Sequence, residues 1–372
     1  MNHRQRTENI LHYRDVDRLP VVHFGYWPEL LVEWAEQGHI PFELARAWGD
    51  GNDADRAIDA RIGWDFNWFS VRGGEMGLRP YFAPEVIEVL PDGQQRVKNG
   101  YGVIERVHPG VASIPSEDDY TLKDRRAFEE LYLPRMQYCV ERARLDFFRR
   151  FNELRDAELP VGLSLGSVLG DIRNMTSVLG MSYLLYDEDE TLFSDIVDAY
   201  AEMQTRVVED ILKTGARFDF GHYWEDICFK NGPLLSPVKF RALCAGHYAK
   251  RNALCHAAGI DIISLDCDGV VDQLLPVWME TGVNTMFPIE VGTWGDQFAP
   301  ARARYGKELR GVGGMDKTVL RRDRAAVDAE IERLRPLIAL GGYIPCPDHR
   351  LMPGTKFELV QYYADRIRSL RV

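Results

Sequence analysis

The feature that most constrains this chain is an alternation repeated eight times. A short apolar run is followed by a polar or glycine-rich elbow and then by a helical stretch. The runs are 19–23 (LPVVH), 66–71 (FNWFSV), 161–165 (VGLSL), 218–222 (FDFGH), 260–265 (IDIISL), 285–289 (TMFPI), 309–313 (LRGVG) and 343–346 (YIPC). Continuous rather than alternating hydrophobicity marks strands covered on both faces, as in parallel sheets. Helix signals lie between them. Ser236-Pro237 offers an N-cap and a first-turn proline, and the helix it opens closes at Gly259. Asp316 is a candidate cap, and 322–339 is an amphipathic run ending in Gly341-Gly342. Eight strand–helix repeats predict an α/β chain forming a (β/α)₈ TIM barrel, a single domain over 1–372. A doubly wound sheet is the weaker alternative, because no GxGxxG follows a strand and no GxxxxGK[ST] occurs. Residues 75–115 break the rhythm. They alternate apolar and polar and carry turn signals at Pro91-Asp92-Gly93 and Asn99-Gly100, which predicts an antiparallel β-meander inserted after strand two.

Composition removes whole classes of function. With 45% hydrophobic and 27% charged residues the chain can fill a large core, so disorder is excluded. A net charge of −12 disfavours nucleic acid and anionic membrane as partners, since both require a basic field. No run of eighteen apolar residues occurs, so no membrane span is expected. The six cysteines are dispersed without a CxxC pair, which fits free thiols in a reducing compartment. The polar opening MNHRQRTENILHYRD has no apolar core of a secretion signal. Together these predict a cytoplasmic protein.

In a barrel, chemistry sits at the C-terminal ends of the strands. The polar and aromatic residues that follow the apolar runs are therefore candidates: His23, Tyr26 and Trp27; Ser70 and Arg72; Ser167, Asp171 and Arg173; His222, Glu225 and Asp226; Asp266, Cys267 and Asp268; Glu290; Asp316; Cys346, Asp348 and His349. Several carboxylates in one cleft raise one another's pKa unless a cation, a basic substrate or shared protons relieve them. Asp266 and Asp268 with Asp348-His349 offer oxygen and nitrogen ligands, a mixture that suits catalytic zinc. The plainer reading is that the two aspartates cap the next helix. Cys267 and Cys346 lie beside them as ligands or as small core residues. His222, Glu225 and Asp226 form the densest polar cluster, with His222 and Glu225 as acid or base groups, or as a core histidine and a solvated loop. Arg173 could hold an anionic group or pair with a neighbouring aspartate.

Five stretches carry a resemblance: LPVVHFGYWPELL (19–31), NGPLLSPVKFRAL (231–243), DGVVDQLLPVWMETGVNTMFPIE (268–290), GVGGMDK (311–317) and PCPDHRLMPGT (345–355). Taken together, from Asp17 onward, the chain resembles the uroporphyrinogen decarboxylase superfamily, which includes cobalamin-dependent methyltransferases. The resemblance implies a (β/α)₈ barrel, often a homodimer, with its site at the barrel mouth. The decarboxylase branch carries arginine after strand one, where this chain reads HFGYWPE, and an aspartate after a Phe-Ser pair, where this chain has Val71 after Phe69-Ser70. His349-Arg-Leu-Met-Pro keeps only the histidine of the final-strand motif. The methyltransferase branch binds zinc through His-x-Cys and a later cysteine, and the matching positions here are Asp266, Asp268 and His349. Oxygen-rich ligation makes a metal harder and better suited to activating an oxygen or nitrogen substituent than a thiolate. The resemblance therefore implies a metal-dependent methyltransferase that demethylates a small O- or N-methylated compound towards a corrinoid on a partner protein. In that reading Asp266, Asp268 and His349 hold a divalent metal, with zinc the expected ion. Glu225, His222, Asp226 and Arg173 are the catalytic candidates, and His23, Tyr26, Trp27 and Glu290 bind substrate. The alternatives are a decarboxylase of uroporphyrinogen or another acid, and a non-catalytic barrel that binds a ligand or corrinoid partner.

Overall fold

The computed structural model describes residues 1–108, 115–295 and 298–370. Its strands are β1 (Val22–His23), β2 (Phe66–Asn67), β3 (Val71–Arg72), β4 (Glu85–Val89), β5 (Gln95–Lys98), β6 (Val103–Val107), β7 (Ser116–Tyr120), β8 (Gly162–Gly166), β9 (Phe220–Trp224), β10 (Cys228–Phe229), β11 (Gly232–Pro233), β12 (Ile263–Asp266), β13 (Thr285–Phe287), β14 (Arg310–Met315) and β15 (Tyr343–Pro347). A seven-stranded parallel sheet runs in the order β15-β14-β13-β12-β9-β8-β3, and β1-β2 form a separate parallel pair. That pair touches both edges of the larger sheet. β2 leads within four residues into β3, and beyond β1 a parallel bridge joins Tyr26 to Leu351 after β15. The arrangement is mixed α/β and TIM-barrel-like.

All eight apolar runs contain strand, and most of their residues are buried, as strands sandwiched between helices and the sheet interior require. One run departs from expectation. The stretch 66–71 is two strands rather than one, because the Asn67 side chain accepts the Phe69 N–H at 2.9 Å and the Asn67 carbonyl accepts from Ser70. This local turn competes with the ladder and redirects the chain. Ser236 caps the helix Pro237–Ala257 as expected, its side chain accepting from the Lys239 N–H. Asp316 caps only the short 3₁₀ turn Lys317–Arg321, and the long helix Arg324–Ala339 takes Asp323 as its cap.

The insertion is an antiparallel sheet, β4-β5-β6-β7. Its fourth strand lies past residue 115, so the meander runs to Tyr120; its residues 109–114 lie outside the described residues. All six cysteines are free. Among the described residues no helix is long and apolar enough to cross a membrane.

Candidate active site

A cavity of about 170 Å³ opens where the strands end, lined by Phe24, Phe69, Trp224, Asp226, Asp266, Asp268, His349 and Arg350. Asp266 closes β12, its carbonyl accepting the Glu225 N–H from neighbouring β9 at 2.8 Å. Asp268 follows two residues on, before Gly269. A side chain at Gly269 would meet the Cys228 carbonyl, and its φ of +87° suits glycine, so the turn that presents Asp268 depends on that residue. His349 follows β15. Its Nε2 lies 3.3 Å from Asp268 Oδ2, and Phe24 meets its ring edge-on. Asp226, in the left-handed region at φ +39°, accepts from Arg173 at 2.5 Å. Arg350 makes two bonds to Asp50, at 3.1 and 2.7 Å, and lies over Phe24, Trp48 and Phe69.

Both arginines at the mouth are thus committed to other carboxylates, and Asp266 is left with only the longer-range pull of Arg350. It is 5% exposed, and its carboxylate makes no hydrogen bond or ion pair among the described residues. Burial pushes its pKa well up, and Asp268 and Asp226 add to the rise. Burial also raises Asp226, against the pull of Arg173, and raises Glu290, with Asp268 adding. Asp268 Oδ1 is buried without a hydrogen-bond partner among the described residues. The acids of the mouth therefore oppose one another's ionisation, a condition that a bound cation relieves.

Several candidates stand elsewhere. Glu225 does not line the mouth. It is fully buried and accepts from Ser167 Oγ at 3.2 Å, from the Val168, Leu169 and Gly170 N–H groups at 2.6, 2.9 and 2.9 Å, and from Tyr248 OH at 2.6 Å. With five donors on it, Glu225 anchors the start of the helix Gly170–Leu184, and the acid/base role expected for it is corrected to a structural one.

His222 is also buried. Its Nδ1 lies 3.2 Å from Ser264 Oγ, Nε2 has no partner among the described residues, and Phe69 and Phe287 meet it edge-on. Burial lowers its pKa to about 3, so it is a neutral imidazole near pH 7 rather than a proton carrier. The unfolded chain takes up a proton near pH 6.5, whereas the folded chain resists until about pH 3. Acidification across that window should cost about 1.4 kcal/mol per pH unit through this residue. Denaturation of His222→Phe and the parent at pH 7 and 4.5 tests this. The variant should lose less stability on acidification, and a parallel loss in both would contradict it.

His23 and Tyr26 are buried away from the mouth, which corrects their expected contact with substrate. His23 Nδ1 accepts from the Gly25 N–H, Nε2 lies 2.9 Å from Asp59, and the ring stacks on Trp64. Tyr26 packs edge-on to Trp34 and Trp48. Trp27 precedes the helix Pro28–Glu36 and is not in the mouth lining. Glu290 borders a neighbouring small cavity with Cys267 and accepts from Trp294 Nε1. Cys346 is fully buried, and Asp348 is bound to the Val291, Gly292 and Lys317 N–H groups.

Of the expected metal ligands, Asp266, Asp268 and His349 share one cavity, but only Asp268 and His349 are in contact. Among the described residues, the grouping that brings three ligand atoms within 4.8 Å of one another is His23, Asp55 and Asp59, a His-Asp-Asp set able to hold a metal. The reading of the mouth missed Phe24, Phe69, Trp224 and Arg350. The available signal was the period of two along a strand: if His23 and Glu225 turn inward, Phe24, Trp224 and Asp226 face the opening.

No family model and no curated protein matches this sequence. Among solved structures the chain is similar to a methyltransferase from Methanosarcina mazei. The two share 14% identity over 99% of this chain and 98% of that one, with a TM-score of 0.57. A protein assigned as a vitamin-B12-independent methionine synthase from Listeria monocytogenes overlaps less, at 12% identity over 60% of this chain and 68% of that one, with a TM-score of 0.37. The first likeness establishes a shared fold along the whole chain.

Proposed function

We propose that this chain is a metal-dependent enzyme of the methyltransferase type, demethylating a small O- or N-methylated compound with a corrinoid partner protein as acceptor. The proposal includes a closed (β/α)₈ barrel forming a single domain, a homodimer and a cytoplasmic location. The observation that carries it is the mouth itself, where Asp266 and Asp268 lack a full counter-charge and stand in one cavity with His349. The buried, unpartnered Asp268 Oδ1 fits a cation ligand. Asp266, Asp268 and His349 would hold a divalent metal, zinc by donor type. When bound, such a metal polarises the oxygen or nitrogen that the methyl group leaves. Phe24, Phe69 and Trp224 shape an apolar wall for the methyl-bearing part, and the Arg173–Asp226 pair holds one side of the opening in place.

Lining and charge argue against the decarboxylase alternative. The cavity of about 170 Å³ is walled on one side by Phe24, Phe69 and Trp224 and carries three aspartates, a lining that suits a small substrate better than one with several carboxylates. Arg173 and Arg350 are already bound to aspartates and are not free to grip substrate carboxylates.

The test is metal analysis of protein purified without chelator. Wild type should retain about one equivalent of divalent metal. Asp268→Asn and His349→Ala should each lose it, and methylated amines and aromatic ethers should turn over only with metal and a corrinoid acceptor. Metal that persists in both mouth variants and disappears in His23→Ala would move the site to the His23, Asp55 and Asp59 group and overturn the assignment.

A further inference from the structure

A second cavity lies apart from the mouth. Its space of about 590 Å³ is bordered by β2 and by the segment that leads into β8, and it shares no lining residue with the mouth. Trp64, Phe66, Phe147, Phe151, Leu154 and Leu159 supply apolar wall. Its acids are all engaged. Asp65 is held by Arg18, Asp55 accepts from Trp48, Gly51 and Asn67, Asp59 faces His23, and Asp156 accepts the Glu158 N–H. Arg155 is tied to Asp219, and Arg56 to Asp53.

Arg72 is different. It is half-buried in the wall, and its one hydrogen bond among the described residues runs to the Val71 carbonyl at 3.0 Å. Among the described residues no carboxylate pairs with it, and the charges that act on it most are two further cations, Arg56 and Arg144. Burial lowers its pKa first, and those two arginines lower it further. In a chain with 57 acidic and 45 basic residues, a guanidinium left in a cavity beside other guanidiniums is costly unless an anion joins it. The planar fork of arginine matches a carboxylate or a phosphate, and the aromatic and aliphatic wall matches an apolar body.

We propose that this lateral cavity binds a small anion, a carboxylate or phosphate carried on an apolar or aromatic body, with Arg72 as the anion-holding residue. The site is independent of the chemistry assigned to the mouth.

Calorimetric titration of the full-length protein with benzoate and with phenyl phosphate, against benzyl alcohol as the neutral probe, tests it. At least one anion should bind saturably and at least about tenfold more tightly than benzyl alcohol, and which one does identifies the head group. Arg72→Met should weaken that binding by at least about tenfold while leaving the ligand-free melting temperature unchanged or higher, because it removes an unpaired charge. Arg72→Lys keeps the charge but loses the fork, and should bind more weakly than the parent. Absence of saturable binding by both anions overturns the proposal. So does undiminished affinity in Arg72→Met, or a fall in its ligand-free melting temperature. If Arg72→Met does not fold, parent-like affinity in Arg72→Lys overturns it equally.

Discussion

Glu225→Ala is expected to destabilise the protein by more than about 4 kcal/mol, an exceptional loss for one substitution. The carboxylate accepts from five buried donors, three of them backbone N–H groups at the start of the helix Gly170–Leu184. A buried donor left without an acceptor costs about 1–3 kcal/mol, and here several lose theirs together. Glu225→Gln keeps the shape but turns an amide N–H₂ towards groups that also donate, so it should be intermediate. Tyr248→Phe removes one donor and leaves the carboxylate on the other four, with a loss of about 1 kcal/mol. Urea unfolding of the three variants gives the ranking. A Glu225→Ala protein with a parent-like midpoint and abolished turnover would restore Glu225 to the chemistry and remove it from the framework.

Asp266→Asn should act in opposite directions on metal and on stability. Loss of a charged ligand should weaken metal binding by more than the roughly 10–100-fold that follows loss of an outer-shell partner. The metal-free variant should nevertheless be more stable than the metal-free parent at neutral pH. Burial, then Asp268 and Asp226, hold the Asp266 carboxyl well above its ordinary range, so keeping it ionised costs folding energy. That cost is full above the raised folded value. It fades as the pH falls, and is gone below about 4, where the unfolded carboxyl is protonated too. The stability advantage of Asp266→Asn should therefore shrink as the pH falls. Taking the difference between variant and parent cancels the opposite acid sensitivity of His222. Calorimetric melting of both metal-free proteins from pH 8 to 4 checks this, and a variant less stable than the parent at pH 8 would refute it.

The strand–helix rhythm was legible because it rests on local chemistry. Fully covered strands must be apolar throughout, helices between them need caps such as Ser236, and turn residues such as Asn99-Gly100 mark an inserted hairpin. The ends of strands were legible for the same reason, and Asp226, Asp266, Asp268 and His349, all read at strand ends, line one cavity. Which neighbour faces that opening was not legible. The usual guide to strand orientation is an apolar face against a polar one, and that contrast vanishes when both faces are buried. Phe24 rather than His23, and Trp224 and Asp226 rather than Glu225, line the mouth.

The partners of the charges were equally out of reach. Arg350 lies 300 residues from the Asp50 that holds it, and Glu225 lies 55–57 residues from the backbone groups it anchors. Arg72 reads like any strand-end cation until the folded chain leaves it without an acid partner among the described residues. The sequence by itself determined the element types, their order and the end of the sheet at which polar groups gather, because these follow from residue-by-residue preference and period. Tertiary structure alone decided which of those groups are exposed to a ligand and which are spent on the framework, because ion pairing and burial depend on contacts between segments far apart in the chain.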